Sequence, residues 1–231
     1  MKKIYNNEDV ERISSEVLVS YLRRIGKGEE IPAYIDIDDF VANYLHCPIV
    51  YENIRKSSDC LGYVSNGVKP LLVYRDHEVR EVVFPKDTII LDRYLCFPAQ
   101  ETKRRFTLAH EAGHIITNRI NRINQEACYH DNNDVKERSK QELKSRFSLL
   151  EVFANRFAAC LLMPAETVKK YIHSYFGQDK IMLDEYGHLS TYDKALLGEI
   201  ADKMNVSMSA LLLRLNELEL YDIYCRSENK A

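Results

Sequence analysis

The stretch "RFTLAHEAGH", Arg105 to His114, constrains this chain more than any other. Its apolar residues, Phe106, Leu108, Ala109 and Ala112 with Ile115 and Ile116 beyond, predict a buried helix over roughly Ala99 to Asn118. Residues four apart lie one above the other on a helix, so His110 and His114 can offer nitrogens to a single ion. Glu111 is turned about 100° from His110 and flanks such an ion without binding it. The pattern H-E-x-x-H arises in roughly 2% of shuffled sequences of this composition, so alone it is a hypothesis. Two histidines and a glutamate buried without partners are costly, and a shared metal removes that cost. Gly113 costs ~1 kcal/mol relative to alanine inside the helix. A close approach to its backbone explains it, whether by a strand, a substrate or a packed helix.

A catalytic zinc site takes three protein ligands and keeps one position open. A second long helix, starting near Ser139 with Glu142 at capping-box spacing, offers the third ligand. In "RFSLLEVFANRFAACLLMP" an apolar face runs through Phe147, Leu150, Ala154, Phe157, Ala158 and Leu161, and Glu151 falls inside it. A carboxylate there is either metal-bound or paired with an arginine such as Arg146 or Arg156. Asn155, one turn on, accepts a hydrogen bond from a ligand histidine, or else is a surface amide. Pro164 breaks this helix and is expected at the first position of the next, which runs to about Phe176.

"RFTLAHEAGH" followed by "EVFANRFAACLLMP" resembles the ImmA/IrrE-type metallopeptidases, which carry HExxH, then E-x-x-A-N-x-F-A, then L-x-P. The resemblance runs over roughly Ile35 to Phe176. It implies an α+β fold, a mostly helical zincin-like core with a small sheet before the HExxH helix. It also implies one zinc per chain on His110, His114 and Glu151, with Glu111 as general base. In that mechanism Glu111 takes a proton from the attacking water and passes it to the leaving amine. The interval between His114 and Glu151 departs from the family by its length, with the charged insert Asn121–Ser139 inside it. Oxyanion-stabilising candidates are Tyr129 and His130 in the insert, or Tyr171 and His173 after Pro164. The alternative for each is a packed or surface residue.

Elsewhere, helical periodicity covers Asn7 to Ile25, ended by Gly26 and Gly28, and a shorter helix covers Asp38 to His46 before Pro48. Short β-branched segments from "PIVYENI" to "TIILD" predict a largely antiparallel sheet of three to five strands. After a polar linker, Gly177 to Tyr192, helices around Leu196–Met204 and Met208–Leu218 form a helix-turn-helix-like appendage. Arg214 is the only basic residue on its second helix, which therefore reads as a packing or partner-recognition element and not a DNA reader. The expected domains are an N-terminal helix (1–30), the metallopeptidase domain (31–176) and the C-terminal module (193–225).

A net charge of −3 gives no reason to expect a nucleic-acid partner, and no segment has the apolar length of a membrane span. Six separated cysteines and no secretory signal imply reduced thiols and a cytoplasmic protein. The leading expectation is a zinc endopeptidase cutting a specific cytoplasmic protein, such as a helix-turn-helix repressor of stress or mobile-element genes. The alternative is a regulator that binds DNA or a repressor through its helical tail. Its structural zinc would be closed by a fourth ligand such as Cys96 or Cys128.

Overall fold

The computed structural model describes residues 5–28, 31–54, 61–121 and 140–223, the side chains of 140–148 and 223 excepted. Tyr129, His130, Cys128 and the capping Ser139 thus lie outside the described residues. The chain forms two compact units: Met1–Glu29 with Asp36–Leu161, and Glu30–Ile35 with Leu162–Ala231. The N-terminal helix belongs to the first unit, and the division follows Leu161.

In the first unit, α1 (Asn7–Arg24) is started by a capping box between Asn6 and Asp9 and buries Val10, Ile13, Leu18, Tyr21 and Leu22. A stripe of that width cannot stand alone, which is why α1 is part of a larger core. The next helix opens as α2 (Ile37–Asp39), capped by the Asp36 carboxylate, then widens into a π turn over Phe40–Tyr44. Leu45 N–H reaches back five residues to the Phe40 carbonyl at 2.9 Å. The Tyr21 hydroxyl donates to Asp39 Oδ2 at 2.7 Å, and its ring meets Phe40 edge-on at 5.3 Å. His46, at φ 55°, ends the helix before Pro48.

Five strands follow, in two sheets. β1 (Ile49–Glu52), β5 (Ile89–Asp92) and β2 (Gly62–Val64) make the first, in the order β1-β5-β2. β5 pairs parallel with β1 (Ile49 to Ile89) and antiparallel with β2 (Tyr63 to Ile90). Two of the three pairings among the five strands are antiparallel, as expected, and the parallel β1–β5 pair makes this sheet mixed. Ile89, Ile90 and Leu91 form an uninterrupted apolar run and are fully buried, so β5 takes the centre and separates β1 from β2. β3 (Leu71–Arg75) and β4 (Glu78–Val82) form a separate antiparallel hairpin around Asp76 and His77, both at positive φ. Ile54, Tyr63, Val73, Phe84 and Ile90 share one buried cluster that holds the hairpin to the sheet.

Helix α3 (Glu101–Asn121) packs on β2 and β5, preceded by two 3₁₀ turns over Arg93–Cys96 and Pro98–Gln100. Arg104 fixes its first turn. The guanidinium binds both Asp38 oxygens at 2.7 and 2.8 Å, both Glu101 oxygens at 2.8 and 2.9 Å, and the Tyr51 hydroxyl at 3.1 Å. A single side chain thereby ties α3 to α2 and β1. Helix α4 (Lys140–Leu162) closes the unit.

The second unit contains α5 (Ala165–Phe176), β6 (Ile181–Leu183), α6 (Thr191–Met204), α7 (Met208–Glu217) and β7 (Tyr221–Ile223). Pro164 precedes α5 with ψ 137°, so it caps the helix and does not occupy its first turn as expected. Ser190 and Ser207 cap α6 and α7, and Asn205 makes the turn between them at φ 51°. β6 pairs parallel with β7, Ile181 beside Tyr221, the first in the expected linker and the second inside the expected helical module. Among the described residues no helix is long and apolar enough to cross a membrane.

Candidate metal centre

The centre is built where α3 crosses α4, and Gly113 permits the crossing. A Cβ on Gly113 would lie 3.0 Å from the Ala154 Cα and 3.3 Å from its carbonyl oxygen, so α4 occupies the space a side chain would need. Of the three explanations for this glycine, helix packing is the one realised. Gly113 and Ala154 are each flanked by site residues, so their contact fixes the distance between the two donor sets.

His110 and His114 present their Nε2 atoms to each other at 3.0 Å. Glu151 approaches from α4, with Oε2 3.2 Å from His110 Nε2 and Oε1 3.3 Å from His114 Nε2. The ligand atoms of these three residues all lie within 4.8 Å of one another, and they are the group among the described residues that could hold a metal ion. Asn155 Oδ1 is 2.9 Å from His110 Nδ1, so Nδ1 donates to the amide and Nε2 is the nitrogen that faces the cluster. Burial pushes the Glu151 carboxyl up, but its hydrogen bonds with His110 and His114 outweigh this and hold it well below the usual carboxylate range. The third donor is thus an anion ready to ligate.

Glu111 lies beside the group and outside it. It is 5% exposed and packs under strand β2, where Gly62 leaves room for its carboxylate. The only sequence signal for Gly62 was a lone glycine in "CLGYVS", a pattern that marks close approach in a strand. The basic run Lys103-Arg104-Arg105 reads in the sequence as solvated helix surface, but Arg104 is largely covered and Arg105 fully buried, because the Arg104 partners Asp38 and Tyr51 come from far back in the chain. Cys96 is exposed and is not one of the metal-ligating group.

The two described oxyanion candidates belong to the second unit. Tyr171 meets Tyr175 at 6.2 Å, and His173 pairs with Asp179 at 2.9 Å on an exposed surface. In the same unit Arg214 is buried, its Nε donating to the Met163 carbonyl at 3.0 Å and its NH1 lying 3.4 Å from Glu217.

A histidine pair on one helix, a carboxylate from the next and a second glutamate alongside define a metallopeptidase-type site. The model of the peptidase M78 family, the IrrE N-terminal-like domain, matches residues 98–216, just over half of the chain, and the chain belongs to that family. The match begins at the turn before α3, so the sheet lies outside it, and it runs on through α6 and α7, beyond the expected limit at Phe176. No curated protein matches the chain.

Proposed function

We propose that this chain is a zinc-dependent endopeptidase that cuts a specific protein inside the cell, a helix-turn-helix repressor being the substrate class that family resemblance favours. The carrying observation is the convergence of His110, His114 and Glu151, with Glu111 next to but not among them. Zinc bonds of ~2.0–2.1 Å in tetrahedral array separate donor atoms by roughly 3.3 Å. The observed separations of 3.0, 3.2 and 3.3 Å suit that ion.

His110, His114 and Glu151 would hold the zinc, and Asn155 would keep the His110 ring in its ligating tautomer. The ion supplies Lewis acidity, acidifying a water and polarising a carbonyl. Glu111 takes the proton of the attacking water on its carboxylate and delivers it to the departing amide nitrogen.

The reading as a DNA-binding regulator draws no support from α7. Its one basic side chain, Arg214, is buried and engaged with Met163 and Glu217, so it offers no charge to a phosphate. The test combines metal analysis with a peptide library. Wild type should bind one zinc and cleave, E111Q should bind zinc and not cleave, and E151Q should lose the metal. Cleavage by zinc-loaded E111Q at the wild-type rate would rule out the proposed general base.

A further inference from the structure

We infer that Gly62 is the positioning residue for Glu111. Its missing side chain is the space in which the carboxylate of the proposed general base lies, so this inference rests on the metallopeptidase reading.

Glycine inside a strand is unfavourable, because it contributes no packing and loses the most backbone freedom on folding. Gly62 is buried within β2 and is not among the residues with positive φ, so its backbone conformation does not demand glycine. Space does. A Cβ there would lie 2.5 Å from Glu111 Oε1, 2.9 Å from Glu111 Cγ and 2.8 Å from Thr107 Cγ2. Thr107 and Glu111 are four residues apart on α3, so both project from the helix face that lies on β2.

The two glycines crowded at the α3 interfaces, Gly62 and Gly113, act differently. At Gly113 the near neighbours are backbone and a ring of α4, which sets a helix crossing. At Gly62 the nearest is the tip of a glutamate. A flexible carboxylate yields before a hydrogen-bonded central sheet does, so an added methyl group would swing Glu111 away and leave β2 in register. Glu111 is not one of the metal-ligating group, so the metal should stay. Gly62 therefore controls proton transfer without touching the substrate, the metal or the proton.

The test uses the full-length, zinc-loaded protein, wild type and G62A, with a random octapeptide library read by mass spectrometry. Kinetics then follow on the best-cleaved peptide. G62A should keep one zinc per chain, lose about 100-fold in kcat, the range set by a general base, and keep KM within twofold. In an E111Q background the same change should have no further effect. A crystal structure of zinc-loaded G62A should show the Glu111 carboxylate displaced. G62A/T107A removes the Thr107 contact and isolates the glutamate effect where G62A alone folds poorly. A carboxylate still in place, or a raised KM with kcat intact, would overturn the inference. If wild type cleaves no peptide, the peptidase reading fails instead, and the crystal structure still decides whether Gly62 sets Glu111.

Discussion

Asn155 shows how much one side chain contributes at the residue scale. Its amide oxygen holds the Nδ1 proton of His110, so its loss frees the ring to rotate and to change tautomer. N155A should weaken zinc binding by about 10–100-fold with little change in melting temperature, measured by competition with a chelating dye. Unchanged affinity would reduce Asn155 to a neighbour of the site. This residue, like His110, His114, Glu111 and Glu151, was legible because each sits at a fixed interval on a helix, where spacing converts directly into direction. Gly62 was not legible in that way. Its partner Glu111 is 49 positions away in the chain, and only the packing of a strand on a helix brings them together.

Helix crossings and strand order were harder to read than helices themselves. The intervals of α1, α3, α4, α6 and α7 follow from apolar periodicity, caps and glycine stops. That β5 would divide β1 from β2 does not, because strands of three or four residues carry too little alternation to reveal their neighbours. The α3–α4 crossing gives a direct prediction. G113V places branched carbon against the Ala154 backbone and should cost about 1–3 kcal/mol by overpacking, with a parallel loss of zinc affinity. Chemical denaturation and metal titration on one sample would check both; a destabilised variant with unaltered zinc affinity would separate the crossing from the site.

The first turn of α3 adds a pH dependence. Hydrogen bonds from Arg104 hold the Glu101 carboxyl below its ordinary range, against a smaller opposing effect of burial. Glu101 is thus more acidic folded than unfolded. Its contribution to stability is full above the ordinary carboxylate pKa and is lost as pH falls through the lower folded value. Melting temperature should therefore fall on acidification less steeply in E101Q than in wild type. Identical slopes would mean that the Arg104 cluster does not couple to folding.

For the whole molecule, the question is whether the second unit reads DNA or serves the peptidase. Arg214 is buried at the foot of α7, where its guanidinium satisfies a carbonyl just past the end of α4. R214M should leave that carbonyl unsatisfied and cost about 1–3 kcal/mol. It should not change retention on duplex DNA at low salt, because the wild-type chain should not be retained either. Salt-dependent retention of wild type that R214M abolishes would restore the DNA-binding reading.

The most direct measurement is a map of new protein termini in cells of the native host, comparing wild type with E111Q, a variant that should keep the metal and lose the base. The account predicts a small set of termini, from one or a few proteins, present with wild type and missing with E111Q. Identical termini in the two strains, with one zinc bound per chain in each, would contradict it.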